Sequence, residues 1–178
     1  MSFIKVNMNK SNDPNYRYKI TPLKTQYGGG GQFTITYINN IEVVANEIGH
    51  PKKIILKFLA LLNGSNDDDK TNSIKGTINE EIIQDGFLSY LNEFIFCNKC
   101  NIPECNLIIK KNKKKELLYK KCSGCGAELE YNSTKKTNKI SAIIIKELKN
   151  GTKFEKMKGV VEEEEDFTND LMSNNNFI

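Results

Sequence analysis

Nowhere does this sequence hold the roughly 18 consecutive apolar residues that a membrane-spanning helix needs, so no such span is expected. Its first residues, MSFIKVNMNKS, contain no apolar h-region and do not read as a secretory signal, so the expectation is a cytoplasmic protein. There is no GxxxxGK[ST] loop, which argues against an enzyme that hydrolyses its own nucleotide. The single histidine, His50, reads as a residue at the start of a helix rather than a ligand. No internal repeat is visible, and 178 residues leave room for one medium domain or two small ones.

What is present is mildly basic. Lysine and arginine number 26 against 22 acidic residues, a net charge of +4, which points to an anionic partner such as nucleic acid. A mean hydropathy of −0.51 fits a globular chain with a solvated tail.

Residues 1–15 are polar and read as a flexible arm. YRYKITPLKTQY reads as a strand with Pro22 at an edge or bulge, GGGG at 28–31 as a flexible loop, and QFTITYI as the second strand of a hairpin with a long tip. NIEVVANEI reads as a short helix. KKIILKFLALL follows as another, with Ile54, Ile55, Phe58, Leu59 and Leu62 on one face and Pro51 suited to its first turn. SIKGTI reads as a strand. Asn79 then caps a helix through Phe96 whose buried side is expected to carry Ile82, Ile83, Phe87, Leu91, Phe94 and Ile95. The expected architecture is α+β: a small α/β unit of about ninety residues, then a cysteine-rich module, then a disordered acidic tail from 149 to 178.

Four of the five cysteines form Cys97-Asn-Lys-Cys100 and Cys122-Ser-Gly-Cys125, with 21 residues between the pairs. Each CxxC turn can present two thiolates to one metal, and two turns complete a tetrahedral site of the kind zinc prefers. A redox CxxC and chance clustering are the alternatives. Gly124 and Gly126 suit the second turn. CNLIIKK and ELLYKK read as two strands of a zinc ribbon, with GAELEY and KISAIII as the others. A module this small gains much of its folding free energy from the ion. Four thiolates leave no open position, so the site reads as one structural Zn2+. Cys105 falls outside the spacing. The runs KKNKKK at 110–115 and KK at 120–121 can meet phosphate or simply be solvated.

YRYK, the glycine-rich loop, DGFLSYLNEFIFCNKC, NIPECNL, CSGCG and AIIIK together resemble the N-terminal half of the eukaryotic translation initiation factor 5 family. The resemblance spans residues 16 to about 148. It implies a flexible arm over 1–15, a domain similar to initiation factor 1 over 16–92, a zinc ribbon over 93–148 with AIIIK as its final strand, and an acidic linker over 149–178. In that family the arginine of the YRYK motif is needed to stimulate GTP hydrolysis by initiation factor 2, which implies a catalytic role in trans for Arg17, aimed by Tyr16 and Tyr18. The implied partners are the GTP-bound gamma subunit of factor 2, initiator tRNA, the 40S subunit and the mRNA start codon, with no membrane and no small-molecule substrate. Lys57 and the backbone of Gly29, Gly30 and Gly31 are the implied RNA contacts.

The chain departs from the family pattern in places. Asn15 replaces the usual aromatic, Gln32 to Asn40 holds no basic residue, and His50 stands at a usually basic position. EEEED leads into Phe167, with Asp170 following, where the family has an acidic run and an Asp-Trp motif; an acidic solubilising tail is the alternative. The family's HEAT-repeat domain has no counterpart in this sequence. The remaining readings are a ribosome-binding module or regulator without GTPase activation, and a beta subunit of initiation factor 2.

Overall fold

A computed structural model describes residues 5–10, 12–30, 33–112, 115–132 and 137–154. In chain order the elements are β1 (Val6–Asn7), β2 (Lys19–Ile20), β3 (Thr25–Gly30), β4 (Phe33–Ile38), α1 (Ile41–Ile48), α2 (Lys52–Leu62), β5 (Asp67–Asp68), β6 (Ser73–Lys75), α3 (Glu80–Phe94), β7 (Cys105–Asn112), β8 (Lys115–Cys122), β9 (Glu128–Glu130) and α4 (Asn138–Lys149). They form an α+β fold with antiparallel sheets ordered β1-β2, β3-β4-β6-β5 and β7-β8-β9.

The helices form where apolar residues recur at helical spacing. In α2, Ile54, Ile55, Phe58 and Leu59 are buried and Pro51 stands at the N-cap, as the pattern indicates. The Asn79 side chain accepts from the Glu81 N–H and caps α3. Ile83, Phe87, Leu91 and Phe94 face the core, but Ile82 is 51% exposed because it lies one residue off that face. At the end of α1, Gly49 adopts φ +71°, and its N–H and that of His50 return to the last turn.

Several expectations change. Within the stretch read as a flexible arm, Val6–Asn7 pairs with Lys19–Ile20, and the Met8 side chain is only 2% exposed in the core. A two-residue strand carries no periodicity from which it can be read. YRYKITPLKTQY is not one strand: it breaks between β2 and β3, where Thr21 binds Glu47 and the Lys24 N–H binds Asn40. Gly28, Gly29 and Gly30 belong to the β3–β4 ladder, opposite Ile35, Thr34 and Phe33, rather than to a long tip. A Cβ on Gly28 would lie 2.6 Å from the Tyr37 ring, so the glycine lets that ring cross the strand.

The stretch KISAIII is helix, not strand. Ile140 and Ile144, four residues apart, are both buried with Ser141 between them, and this face docks α4 on α2 and the β7–β8 hairpin. Order also continues past Lys149, since Phe154 is buried against the His50 ring at 5.1 Å. The expected acidic tail from 155 on, with EEEED and Phe167, lies outside the described residues, as does Gly31.

One cluster of buried side chains joins Met8, Ile20, Ile55, Phe58, Phe87 and Phe94 to Leu107, Leu118, Ile140 and Ile144, so the core runs across the expected boundary at 92. His50 sits inside it, with Nδ1 2.7 Å from the Tyr90 hydroxyl and Nε2 without a partner among the described residues. Burial pushes its pKa down to about 3.

The unfolded chain titrates this imidazole near its ordinary value of about 6.5. Between there and about pH 3 the unfolded state binds a proton that the folded state does not. Stability from this residue is therefore complete above about pH 6.5 and falls by about 1.4 kcal/mol per unit as pH drops. Denaturant unfolding across that window should show a steeper acid loss for the wild type than for His50→Gln. Equal slopes would mean that the imidazole protonates without unfolding.

Candidate metal centre and arginine arm

The sulfurs of Cys97, Cys100, Cys122 and Cys125 all lie within 4.8 Å of one another. The Cys97–Cys125 and Cys100–Cys122 pairs are each 3.7 Å apart, and all four are free thiols. A tetrahedral ion with bonds of about 2.3 Å separates its sulfurs by about 3.8 Å, so the donor set has the dimensions of a metal cage.

The two halves repeat one backbone device. The Cys97 N–H donates to the Ile102 carbonyl and the Asn101 N–H to the Cys97 carbonyl; the Cys122 N–H donates to Ala127 and the Gly126 N–H to Cys122. The residue after the second cysteine takes positive φ in both turns, +57° at Asn101 and +71° at Gly126. Glycine and asparagine tolerate that conformation best. Burial alone would raise the Cys97 thiol, but the N–H groups of Cys100 and Lys99 aim at its sulfur and bring it down to about 6.

Cys105 begins β7 directly opposite Cys122, buried beside Cys97 and Cys122. Burial pushes its thiol up to about 12, and the cluster of four close-packed sulfurs does not include it.

Lys120 differs from its reading as part of an exposed basic run. On β8 the inward face carries Leu118, Lys120 and Cys122, and Lys120 is 4% exposed. Its ammonium donates to the Phe96 carbonyl at 3.0 Å and to Asn98 Oδ1 at 2.5 Å, holding the chain that enters the first cysteine turn. Burial lowers its pKa, and the nearby Glu93 carboxylate and Cys97 thiolate oppose that fall. Period-two patterning was the available signal, masked by the neighbouring lysine. Lys121 is exposed and pairs with Glu128 at 3.1 Å; Lys110 pairs with the same carboxylate. Lys113 and Lys114 lie outside the described residues.

Arg17 stands at an exposed bend just before β2. The bend follows a DPNY turn: Asp13 accepts the Asn15 N–H through its side chain and the Tyr16 N–H through its carbonyl. The guanidinium carbon lies 5.6 Å from the Tyr18 ring centroid, and Tyr16 meets Tyr18 edge-on at 5.8 Å. No carboxylate among the described residues pairs with Arg17. The Tyr18 hydroxyl donates to Glu104, between the first cysteine pair and β7.

Lys57, on α2, is paired with Asp67 at 2.8 Å, and Gly29 and Gly30 are exposed at the end of β3. Among the described residues these three share no hydrogen bond or ion pair with Arg17 or the cysteines. The structure thus gathers the four cysteines at one point and ties the arginine segment to them, while the other predicted residues stay separate.

Among known protein families, the one described as a domain found in initiation factors 2B and 5 matches residues 8–128. Eukaryotic translation initiation factor 5 of Saccharomyces cerevisiae is 26% identical over 140 residues, 76% of this chain and 33% of that protein. The Caenorhabditis elegans protein of the same name is 28% identical over 138 residues, 75% of this chain and 30% of its own length. The probable eukaryotic translation initiation factor 5 of Schizosaccharomyces pombe is 27% identical over 167 residues, 90% of this chain and 41% of that protein. The chain therefore spans well under half the length of these relatives.

The buried Lys120 gives a direct test. Lys120→Met keeps the apolar stem but leaves the Phe96 carbonyl and Asn98 unpaired, and should lower unfolding stability by about 1.5–3 kcal/mol. Lys121→Met should stay within about 0.5 kcal/mol of wild type. Urea titrations of both variants check the difference, and similar effects would return Lys120 to the solvated surface.

Proposed function

The chain belongs to the family defined by the domain found in initiation factors 2B and 5, and on that premise we propose that it acts in translation initiation as a GTPase-activating factor, presenting Arg17 to the GTP-bound gamma subunit of initiation factor 2. The action takes place on the 40S preinitiation complex at the start codon, beside initiator tRNA. The observation that carries this reading is the state of Arg17: exposed, held at a bend between two packed tyrosines, and without a carboxylate partner among the described residues.

The chemistry follows from the guanidinium. GTP hydrolysis spreads negative charge over the γ-phosphoryl and bridging oxygens, and an arginine supplied in trans stabilises that charge. Its planar fork donates several hydrogen bonds at once and stays ionised, which an ammonium does not match. An arginine already satisfied by an internal carboxylate would have to break that pair first; Arg17 has none to break among the described residues. The hydrolytic site belongs to the partner, so this chain is an activator rather than an enzyme.

One zinc ion belongs in the cage of Cys97, Cys100, Cys122 and Cys125. When bound it supplies four strong bonds that close the two cysteine turns, and with all positions taken it leaves none for a reacting water. The Lys57 ammonium and the backbone at Gly29 to Gly31 are assigned to RNA phosphate. For Lys57 this requires exchange of its Asp67 partner, so its contribution is smaller than that of an unpaired lysine.

Single-turnover GTP hydrolysis by factor 2 in reconstituted 40S complexes tests the reading. Wild type should accelerate hydrolysis and Arg17→Ala should lose on the order of 10³ of that rate while still binding. Binding without acceleration by either protein would identify a docking module, and stable co-purification with the gamma subunit would identify a subunit of factor 2. Metal analysis should find one zinc per chain, with Cys122→Ser reduced to a small fraction of that.

A further inference from the structure

The segment carrying Arg17 is held at two points that lie far apart in sequence. On one side, the Tyr18 carbonyl accepts the Met8 N–H at 3.1 Å, at the end of the β1–β2 pair. On the other, the Tyr18 hydroxyl donates to the Glu104 carboxylate, 86 residues away. Glu104 is tied in turn to the metal centre. Its own carbonyl accepts the Ser123 N–H at 2.9 Å, one residue after Cys122, and the next residue, Cys105, donates its N–H to Ile95 at the end of α3. The side chain of one residue thus grips the arginine segment while its backbone grips the second cysteine turn.

We infer that Tyr18 and Glu104 are positioning residues that hold Arg17 in a fixed direction and make its presentation depend on the closed metal cage. This rests on the reading of Arg17 as the guanidinium given to the GTPase. The alternative for an exposed arginine on a terminal segment is a wide spread of directions, each of which must be narrowed when the partner is met. Fixing the segment beforehand removes part of that ordering cost.

The geometry supports the assignment in three respects. Tyr18 is buried, so its hydroxyl needs a partner, and a carboxylate is a strong one. Its ring lies beneath the Arg17 guanidinium and against Tyr16, so moving the ring moves both neighbours. Burial, together with the bond to Glu104, pushes the tyrosine pKa up to about 12, so the donor proton is present throughout the neutral range. Opening the second cysteine turn would displace Ser123, the partner of the Glu104 carbonyl, and so loosen the grip on Tyr18.

The test uses the full chain carrying Tyr18→Phe, Glu104→Ala or Glu104→Gln. Phe keeps the packing and removes only the hydroxyl, while Gln keeps an acceptor. Hydrogen exchange of the Met8 amide, which donates to Tyr18, should be about tenfold faster in Tyr18→Phe and Glu104→Ala and within about threefold of wild type in Glu104→Gln. Amides of β7 and β8 and the metal content should be unchanged, which separates a loosened arm from an unfolded protein. At saturating protein, stimulated GTP hydrolysis should fall about tenfold in the first two variants with the half-saturating concentration unmoved, and recover in Glu104→Gln.

Unchanged exchange at Met8 in both Tyr18→Phe and Glu104→Ala overturns the inference. So does a loosened arm that stimulates hydrolysis as well as wild type. If wild type itself fails to stimulate hydrolysis, the reading of Arg17 is lost, whereas the exchange result decides separately whether Tyr18 and Glu104 hold the arm.

Discussion

The end of α3 cannot shift without moving the four-cysteine cluster, because three buried residues, Phe94, Ile95 and Phe96, run directly into Cys97. The Phe94 ring packs on Phe58 at 5.9 Å, on Tyr90 at 5.0 Å and on Tyr131 at 5.1 Å, and Tyr131 follows the last strand of the ribbon. The Ile95 carbonyl accepts Cys105, and the Phe96 carbonyl accepts Lys120. A three-stranded ribbon buries little apolar surface of its own, so these contacts supply much of what its core lacks. The rest of the chain inherits its geometry from this junction.

Polar groups do comparable work where the backbone is irregular. Between β2 and β3, Asn40 accepts the Lys24 N–H and donates to the Pro22 carbonyl, while Glu47 takes both the N–H and the hydroxyl of Thr21. Each satisfies a group that the sheets leave unpaired, and leaving such a group unmet when buried is costly. The lysine–carboxylate pairs among the described residues each keep at least one member exposed to solvent, and pairs of that kind contribute little to stability. Against that background, the absence of a carboxylate partner among the described residues gives Arg17 its chemical interest, since its contact with Tyr18 directs the charge without neutralising it.

Much of the fold was legible because its signals are local. The apolar spacing of α2, the Asn79 cap of α3 and the stretches CNLIIKK and ELLYKK of β7 and β8 each lie within a window of about a dozen residues. The cysteine pairs were legible for the same reason, since ligand chemistry restricts both residue type and spacing. The misreadings have a common cause. Ile143, Ile144 and Ile145 are β-branched and read as a strand, yet Ile140 and Ile144 share a helical face that only α2 and the β7–β8 hairpin can select. Two-residue β1 is too short to show a pattern, and Phe154 has no periodic neighbours, so their burial depends on partners elsewhere in the chain.

By itself the sequence determined which four cysteines come together, the three helices that precede them and the family to which the chain is similar, because each follows from spacing or from several motifs in order. It also singled out Arg17 through YRYK. Only the tertiary structure decided that Lys120 turns inward while Lys121 turns out, that Cys105 stands opposite Cys122, and that Glu104 reaches Tyr18. These depend on strand register and on contacts between residues far apart in the chain. No local pattern specifies them, since the energy that selects them exists only once α3 and the ribbon have packed together.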